Sequence, residues 1–408
     1  MRLLFIVDND EPHASGGGYY APFKFAEFLA RRGHQVTICA VHDLGWVKEA
    51  PGLRLRFRPS IPRRNRLLRK LDKLLAAACD RLIVRREIAR LRPDWVFGVL
   101  THSAIKAAAL GRRQGARVAN FVYETPGWLE EMHGREAYER ENRGYVRDLW
   151  ERTRRAYLDS DLLIPNSAMA GRYCSRWLGG RPVGEPVPPG VDPAQMPFAE
   201  EAAPGRTSPA VAAPVVAAPI IAAPARARPA LILAVGRLAK EKRLDTLVAA
   251  WLRLGVPAEL HVVGEGPERG RLESQAGGSR DAHFHGFVSD ADLWALYRGA
   301  DLVVCPSSFE GFGMPPMQAL YFARPCLASD LPVFRSLYGD HLDYFPVGDA
   351  EALAAAIRRL LADPDGRARR GREGRAFVLE RFTWAGAAIM IETALRSHGD
   401  AATPGATP

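Results

Sequence analysis

The sequence contains no run of about 18 apolar residues, so no membrane-spanning helix is expected. Cysteine is scarce: five residues, Cys39, Cys79, Cys174, Cys305 and Cys326, are scattered with no CxxC pair. That spacing argues against a disulfide framework and a thiolate zinc site, and makes a reducing cytoplasm the expected compartment. Met1–Val7 is too short, and too soon followed by Asp8, to read as a secretory leader. His283 and His285 share one strand face but have no third ligand beside them in the sequence, so no metal site is expected. Acidic residues are in deficit, 46 against 56 Lys and Arg, for a formal net charge of +10. The excess is local. Residues 61–92 hold eleven arginines and lysines against Asp72, Asp80 and Glu87.

What the chain does have is length and apolar content, 408 residues and 47% hydrophobic, enough for two cores. RLLFIVD (2–8) reads as a buried parallel strand. A helical pattern from 19 to 32 follows the Gly16-Gly17-Gly18 loop, and HQVTICAV (34–41) reads as a second strand. Further strands are expected at 53–58, 95–100, 117–123 and 161–165, with helices between them. A second series follows: strands at 230–235, 258–263, 282–285 and 301–305, helices at 243–254, 267–275, 290–298 and 314–323. Strands alternating with helices predict an α/β architecture, two Rossmann-like domains facing a cleft. The expected boundaries are 1–190 and 191–382. An Ala/Pro-rich low-complexity insertion at 199–229 has no helical period. A helix at 383–396 is expected to cross back to the first domain, before a disordered tail at 397–408.

In such sheets ligands sit at the carboxyl ends of strands, so chemistry is expected in those loops. LILAVG ends in Gly236-Arg237-Leu238, with Lys242 close behind. An Arg fork and a Lys point charge at a strand end can hold a diphosphate. VVGEGP places Gly264 in a tight turn after a strand. HGFV places Phe287 at another strand end, where backbone groups can read a nucleobase edge. The stretch DLVVCPSSFEGFGMPPMQ stops a strand at Pro306 and presents Glu310, Gly311, Phe312 and Gly313 before a helix starting near Pro315-Pro316. That helix start is a phosphate seat by its amides and partial charge. Glu310 can accept from sugar hydroxyls, and Gln318 can bond a ribose. In the N-terminal half, Gly17 and Gly18 allow close backbone approach to a phosphate or acceptor. Gly16, Gly18 and Ala21 fit a dinucleotide pattern, but Asn9–Ser15 separate them from the strand, which excludes a nicotinamide or flavin site.

With these motifs in place, the chain resembles glycosyltransferase family 4, of the GT-B fold. The matching stretches are GRLAKEKRLDTLVAAW, VVGEGPERGRLE, FHGFVSDADLWALYRGADLVVCPSSFEGFG and ALYFARPCLASDLPVF, with NSAMAGRYC and PPGVDP similar to the family's hinge. The resemblance implies a transferase that retains anomeric configuration, by front-side attack of an acceptor hydroxyl assisted by the departing phosphate. It implies a nucleotide-diphosphate sugar as donor, neutralised by Arg237 and Lys242 without a metal or other cofactor, and Glu310 contacting the donor sugar.

Two departures stand out. The family usually has a second glutamate where this chain has Gln318. It often has a histidine after the strand that here reads NFVYETPGW, where Glu124 is offered instead as acceptor base or orienting group. His102, after the preceding strand, competes for that role. The acceptor expected is a glycan or lipid-linked hydroxyl in cell-surface polysaccharide or lipopolysaccharide assembly. Residues 61–92, with apolar residues at helical spacing, are read as an ordinary helix or as a face docking on anionic lipid at the cytoplasmic side of the membrane. No nucleic-acid partner is expected, because the basic run lacks interleaved aromatics. The rivals are a nucleotide-sugar epimerase, which would act without an acceptor, and a nucleotide-sugar-binding subunit, which would bind without turnover.

Overall fold

The structure is a computed structural model that describes residues 1–8, 17–41, 47–57, 81–123, 125–133, 135–141, 144–198 and 228–400. Two compact units emerge: Met1–Pro189 with Trp384–Pro408, and Gly190–Thr383. Each holds one six-stranded sheet, and every strand pairing within the sheets is parallel.

The first unit contains β1 (Arg2–Val7), β2 (Gln35–Ala40), β3 (Leu53–Phe57), β4 (Trp95–Gly98), β5 (Arg117–Val122) and β6 (Leu162–Pro165), in the order β3-β2-β1-β4-β5-β6. Helices cover both faces, so the central strands must be apolar throughout rather than alternating. β1 is buried from Leu3 to Val7. Its core is aromatic: Phe5 stacks on Phe97 at 4.4 Å and Phe25 on Phe121 at 5.0 Å. Trp384, at the start of the last helix (Trp384–Asp400), meets Phe25 edge-on at 5.4 Å. Residues 397–400 of the expected tail are therefore helical, and 401–408 lie outside the described residues.

Of the basic segment, 81–91 are helical and the residues before 81 lie outside the described part. Val84, Ile88 and Leu91 are buried against Leu4, Ile6 and Val96, while Leu82 is half exposed. The apolar stripe of this helix thus packs on the sheet. The Ala/Pro-rich stretch is likewise outside the described residues through 227.

The second unit contains β7 (Ala230–Val235), β8 (Ala258–Val263), β9 (Ala282–Gly286), β10 (Leu302–Cys305), β11 (Cys326–Ser329) and β12 (Asp343–Phe345), in the order β12-β11-β10-β7-β8-β9. One face is packed by Leu247 and Val248 of helix Leu244–Trp251 and by Leu353 and Ile357 of helix Ala350–Ala362. Strand order reverses between β7 and β10. At such a switch point the loops leave in opposite directions and open a crevice at the carboxyl ends. Among the described residues no helix is long and apolar enough to cross a membrane.

Candidate active site

The switch point explains which residues meet. β7 and β10 are hydrogen-bonded neighbours, with Leu302 opposite Ile232 and Val303 opposite Leu233. Being parallel, they deliver the Gly236 loop and the Pro306 loop to the same sheet end. A short turn of helix at Lys240–Lys242 then folds over, and the Ser308 amide donates to the Glu241 carbonyl at 2.8 Å, binding one loop to the other. As a result Lys242 Nζ lies 2.6 Å from Glu310 Oε1. The Ser307 hydroxyl donates to the same oxygen at 2.9 Å. Both charged side chains are partly buried, at 25% and 13% exposure. Arg237, mostly exposed, pairs with Glu241.

The loop after β8 is pulled against the loop after β7. The Gly236 amide donates to Val263, and the Leu238 amide to Glu265, at 3.0 and 2.9 Å. The approach requires glycine. A Cβ on Gly264, at φ +131°, would sit 2.0 Å from the Gly236 carbonyl oxygen, and one on Gly266 would sit 2.3 Å from that of Leu238.

The helix Met314–Tyr321 begins at Gly313, whose φ of +84° and contact with Phe334 again suit only glycine. Its start offers fewer donors than the sequence reading supposed. Pro315 and Pro316 carry no N–H, so the first turn presents only the amides of Gly313 and Met314. The Phe312 ring is buried against Tyr338 and Phe382, so only its backbone can face a ligand. Phe287 stands out as a large aromatic, 60% exposed, at the end of β9.

Gln318 is held from inside. The Tyr297 hydroxyl donates to its Oε1 at 3.0 Å, and Tyr297 is fully buried, which pushes its phenol well above the ordinary range. Since the carbonyl end is engaged, the amide NH2 is the end left to meet a ligand.

The remaining sequence candidates belong to the first unit. Gly17 and Gly18 open the helix Gly17–Arg31. His102 sits in the first turn of helix Thr101–Gly111, just after β4, with Nε2 2.7 Å from the Tyr145 hydroxyl. Beside it at the sheet end, Lys106 Nζ is 2.6 Å from Asp8 Oδ1. Glu124 lies outside the described residues. Its neighbour Tyr123 has a hydroxyl without a hydrogen-bond partner among them, and burial raises its pKa.

Glu241, Ser307, Ser308 and Tyr297 were not singled out in the sequence. Their signal was positional only, a polar group next to a strand end or one helix turn from another. The expectation that His283 and His285 stand without a third ligand is also corrected. β8 brings His261 and Glu259 beside them. Burial lowers the pKa of His261, and burial with the neighbouring imidazoles takes His285 down to about 4.

The model for "Glycosyl transferases group 1" matches residues 221–377, and that for "Glycosyltransferase Family 4" matches 16–195. A GDP-mannose-dependent alpha-(1-6)-phosphatidylinositol dimannoside mannosyltransferase of Mycobacterium tuberculosis is 35% identical over 165 residues, 40% of this chain and 42% of that protein. A glycogen synthase from the same species is 32% identical over 203 residues, 48% of this chain and 44% of that protein. The matches thus span less than half the length of these relatives. Among solved structures, sucrose-phosphate synthase of Thermosynechococcus elongatus superposes with a TM-score of 0.75 at 20% identity, covering 98% of this chain and 100% of the other. Anabaena HepE, solved with UDP-glucose, gives 0.72 at 16% identity, covering 97% and 100%. At those identities the likeness concerns the fold.

Proposed function

Because this chain belongs to glycosyltransferase family 4, we propose that it moves a sugar, with retention of configuration, from a nucleotide-diphosphate sugar to an acceptor hydroxyl. The observation that carries the reading is the Lys242–Glu310 contact at the β7/β10 switch point. It joins a phosphate-binding charge to a sugar-binding carboxylate.

In this reading Lys242 uses one of its three N–H donors on Glu310 and turns the others to the diphosphate, with Arg237 beside it. The two cations do the neutralising work that a metal would otherwise do. As the sugar–phosphate bond breaks, negative charge grows on the leaving diphosphate. Preplaced cations and the Gly313 and Met314 amides stabilise that charge more than they stabilise the ground state. Glu310 Oε1 is taken by Lys242 and Ser307, so Oε2 is the oxygen offered to sugar hydroxyls. Phe287 supplies an exposed ring for the base, and the Gln318 amide a donor for the ribose.

The relatives' names mention GDP-mannose, and a fold neighbour was solved with UDP-glucose, so the base is the first quantity to measure. We place the acceptor among glycans or lipid-linked sugars of cell-surface polysaccharide or lipopolysaccharide assembly, at the cytoplasmic face of the membrane. The basic side chains of residues 61–92 are the proposed contact with anionic lipid, by charge rather than by the apolar stripe of 81–91, which packs on the sheet, and Glu124 and His102 are the acceptor-side candidates. Thermal-shift titration with UDP, GDP, ADP and their sugars, followed by turnover with the stabilising donor, tests the donor half. A chain stabilised by none of them, or one that binds a donor and never turns it over with any glycan or lipid-linked acceptor, would refute it.

A further inference from the structure

One cluster of ionisable side chains lies apart from the proposed donor site. On β8 the side chains alternate: Leu260 and Val262 point into the core, while Glu259 and His261 lie on the opposite face, only partly buried. β9 is the edge strand next to it. The register places His261 directly opposite His283, and the pairing then skips His285 to join Val263 with Gly286. Three imidazoles and one carboxylate therefore share a small area. Ring centroids of His261 and His283 are 4.6 Å apart, and those of His261 and His285 are 5.1 Å apart.

We propose that Glu259, His261 and His283 form a binding site for one divalent transition-metal ion of the zinc type, which ties the edge strand β9 to β8. One ligand atom from each residue lies within 4.8 Å of the other two. A tetrahedral zinc with bonds of about 2.0–2.2 Å needs ligand atoms roughly 3.4 Å apart, so modest side-chain rotations close the set. The hydrogen bonding already orients the central ring. His285 Nε2 and His261 Nδ1 are 3.0 Å apart, and His261 Nε2 is 3.3 Å from Glu259 Oε2. With the Nδ1 proton of His261 donated to His285, the Nε2 lone pair of His261 points at the carboxylate side, where the ion would sit. A ligating histidine typically gives its other N–H to such a partner, which fixes the tautomer and the ring plane. Two imidazoles with one carboxylate favour zinc, copper or nickel over the oxygen-seeking magnesium and calcium. Three protein ligands leave a fourth position for water.

The test uses the untagged full chain, stripped with EDTA and dialysed. Zinc competition with a chromophoric chelator should give one equivalent bound, and the unfolding temperature should rise by a few degrees, on the order expected when a ligand binds only the folded state. His261→Gln and His283→Gln should each abolish both effects. His285→Gln, which removes only the orienting partner, should weaken binding about 10–100-fold. Histidine modification by diethyl pyrocarbonate, read by mass spectrometry on the unmutated chain, serves if a variant fails to fold. Zinc should protect His261 and His283 and leave His102 reactive. No stoichiometric binding, binding unaffected by either ligand substitution, or equal modification with and without zinc would overturn the proposal.

Discussion

Lys242 and Glu310, 68 positions apart in the chain, meet at 2.6 Å because β7 and β10 run side by side in the same direction. The contact predicts coupled kinetics. Lys242→Ala removes a phosphate cation and frees Glu310 from its partner. Glu310→Gln removes the charge that holds Lys242. Each should lower kcat/KM for the donor by about 10²–10³, the range seen for single groups that stabilise transition-state charge. The double variant should fall well short of the product of the two losses, with a coupling of about 0.5–3 kcal/mol. Steady-state kinetics on the four proteins decides it, and strict additivity would mean the two side chains act separately.

Gln318 offers a gain-of-affinity test. Tyr297 donates to its Oε1, and a carboxylate accepts the same proton equally well. Gln318→Glu should therefore keep the fold and exchange an amide donor for a charged acceptor facing the ribose. Charge-assisted hydrogen bonds exceed neutral ones by about 1 kcal/mol, so donor affinity should tighten roughly fivefold. Calorimetry with the preferred nucleotide measures it. Unchanged or weaker binding would place the ribose elsewhere.

The fold was legible where strands are buried and turns are punctuated. The expected strands at 230–235 and 258–263 coincide with β7 and β8, because apolar runs stop at Gly236 and Gly264. β11 and β12 carry little signal. CLAS and DYF are too short to show a period, and they are strands because β10 offers an edge to β11 and β11 in turn offers one to β12. Helix Pro364–Arg381 is obscured by its own glycines. Gly371 and Gly374 read as helix breakers, yet they allow close packing on Ala323 and Leu320. The candidate site was legible as a set of strand-end residues, not as contacts. Nothing in the sequence pairs Lys242 with Glu310, or His261 with His283, because both pairings depend on strand order and register. Burial of the Phe312 ring is hidden in the sequence for the same reason, since it depends on residues far along the chain.

The close loop packing at β8 predicts a contrast between two glycine substitutions. In Gly264→Ala the new methyl would sit 2.0 Å from a backbone oxygen at a φ unsuited to alanine. The loops must part, at a cost of about 1–3 kcal/mol or more, and donor affinity should fall with stability. In Gly270→Ala the methyl meets nothing within 4 Å, inside helix Arg269–Gln275. That change should stabilise by about 0.4–1 kcal/mol and leave affinity alone. Urea-unfolding midpoints and nucleotide titrations on both variants check the pair of signs.

Stability of the first unit should depend on acid through Glu392. Its carboxylate accepts from Arg396 at 2.8 Å and from Arg32 Nε at 2.7 Å, and His34 lies 3.5 Å away. The hydrogen bond from Arg396, then that from Arg32, draws its pKa from an ordinary 4.5 down to about 2. The folded pKa lies below the unfolded one, so in this interval the unfolded chain binds more protons. The stabilisation is therefore fully present above pH 4.5 and disappears as pH falls from 4.5 to 2. His34 adds a separate loss that begins near pH 6.5. Its pKa is lowered, by burial first and by the N-terminal ammonium second, so the unfolded chain again takes up the proton more readily. Glu392→Gln should be less stable than the parent at pH 7, show a shallower fall between pH 4.5 and 2, and converge with it near pH 2. Urea midpoints across that range measure the difference. Parallel curves at every pH would show that the helix Trp384–Asp400 is held by its apolar face alone, through Trp384, Ile391 and Leu395.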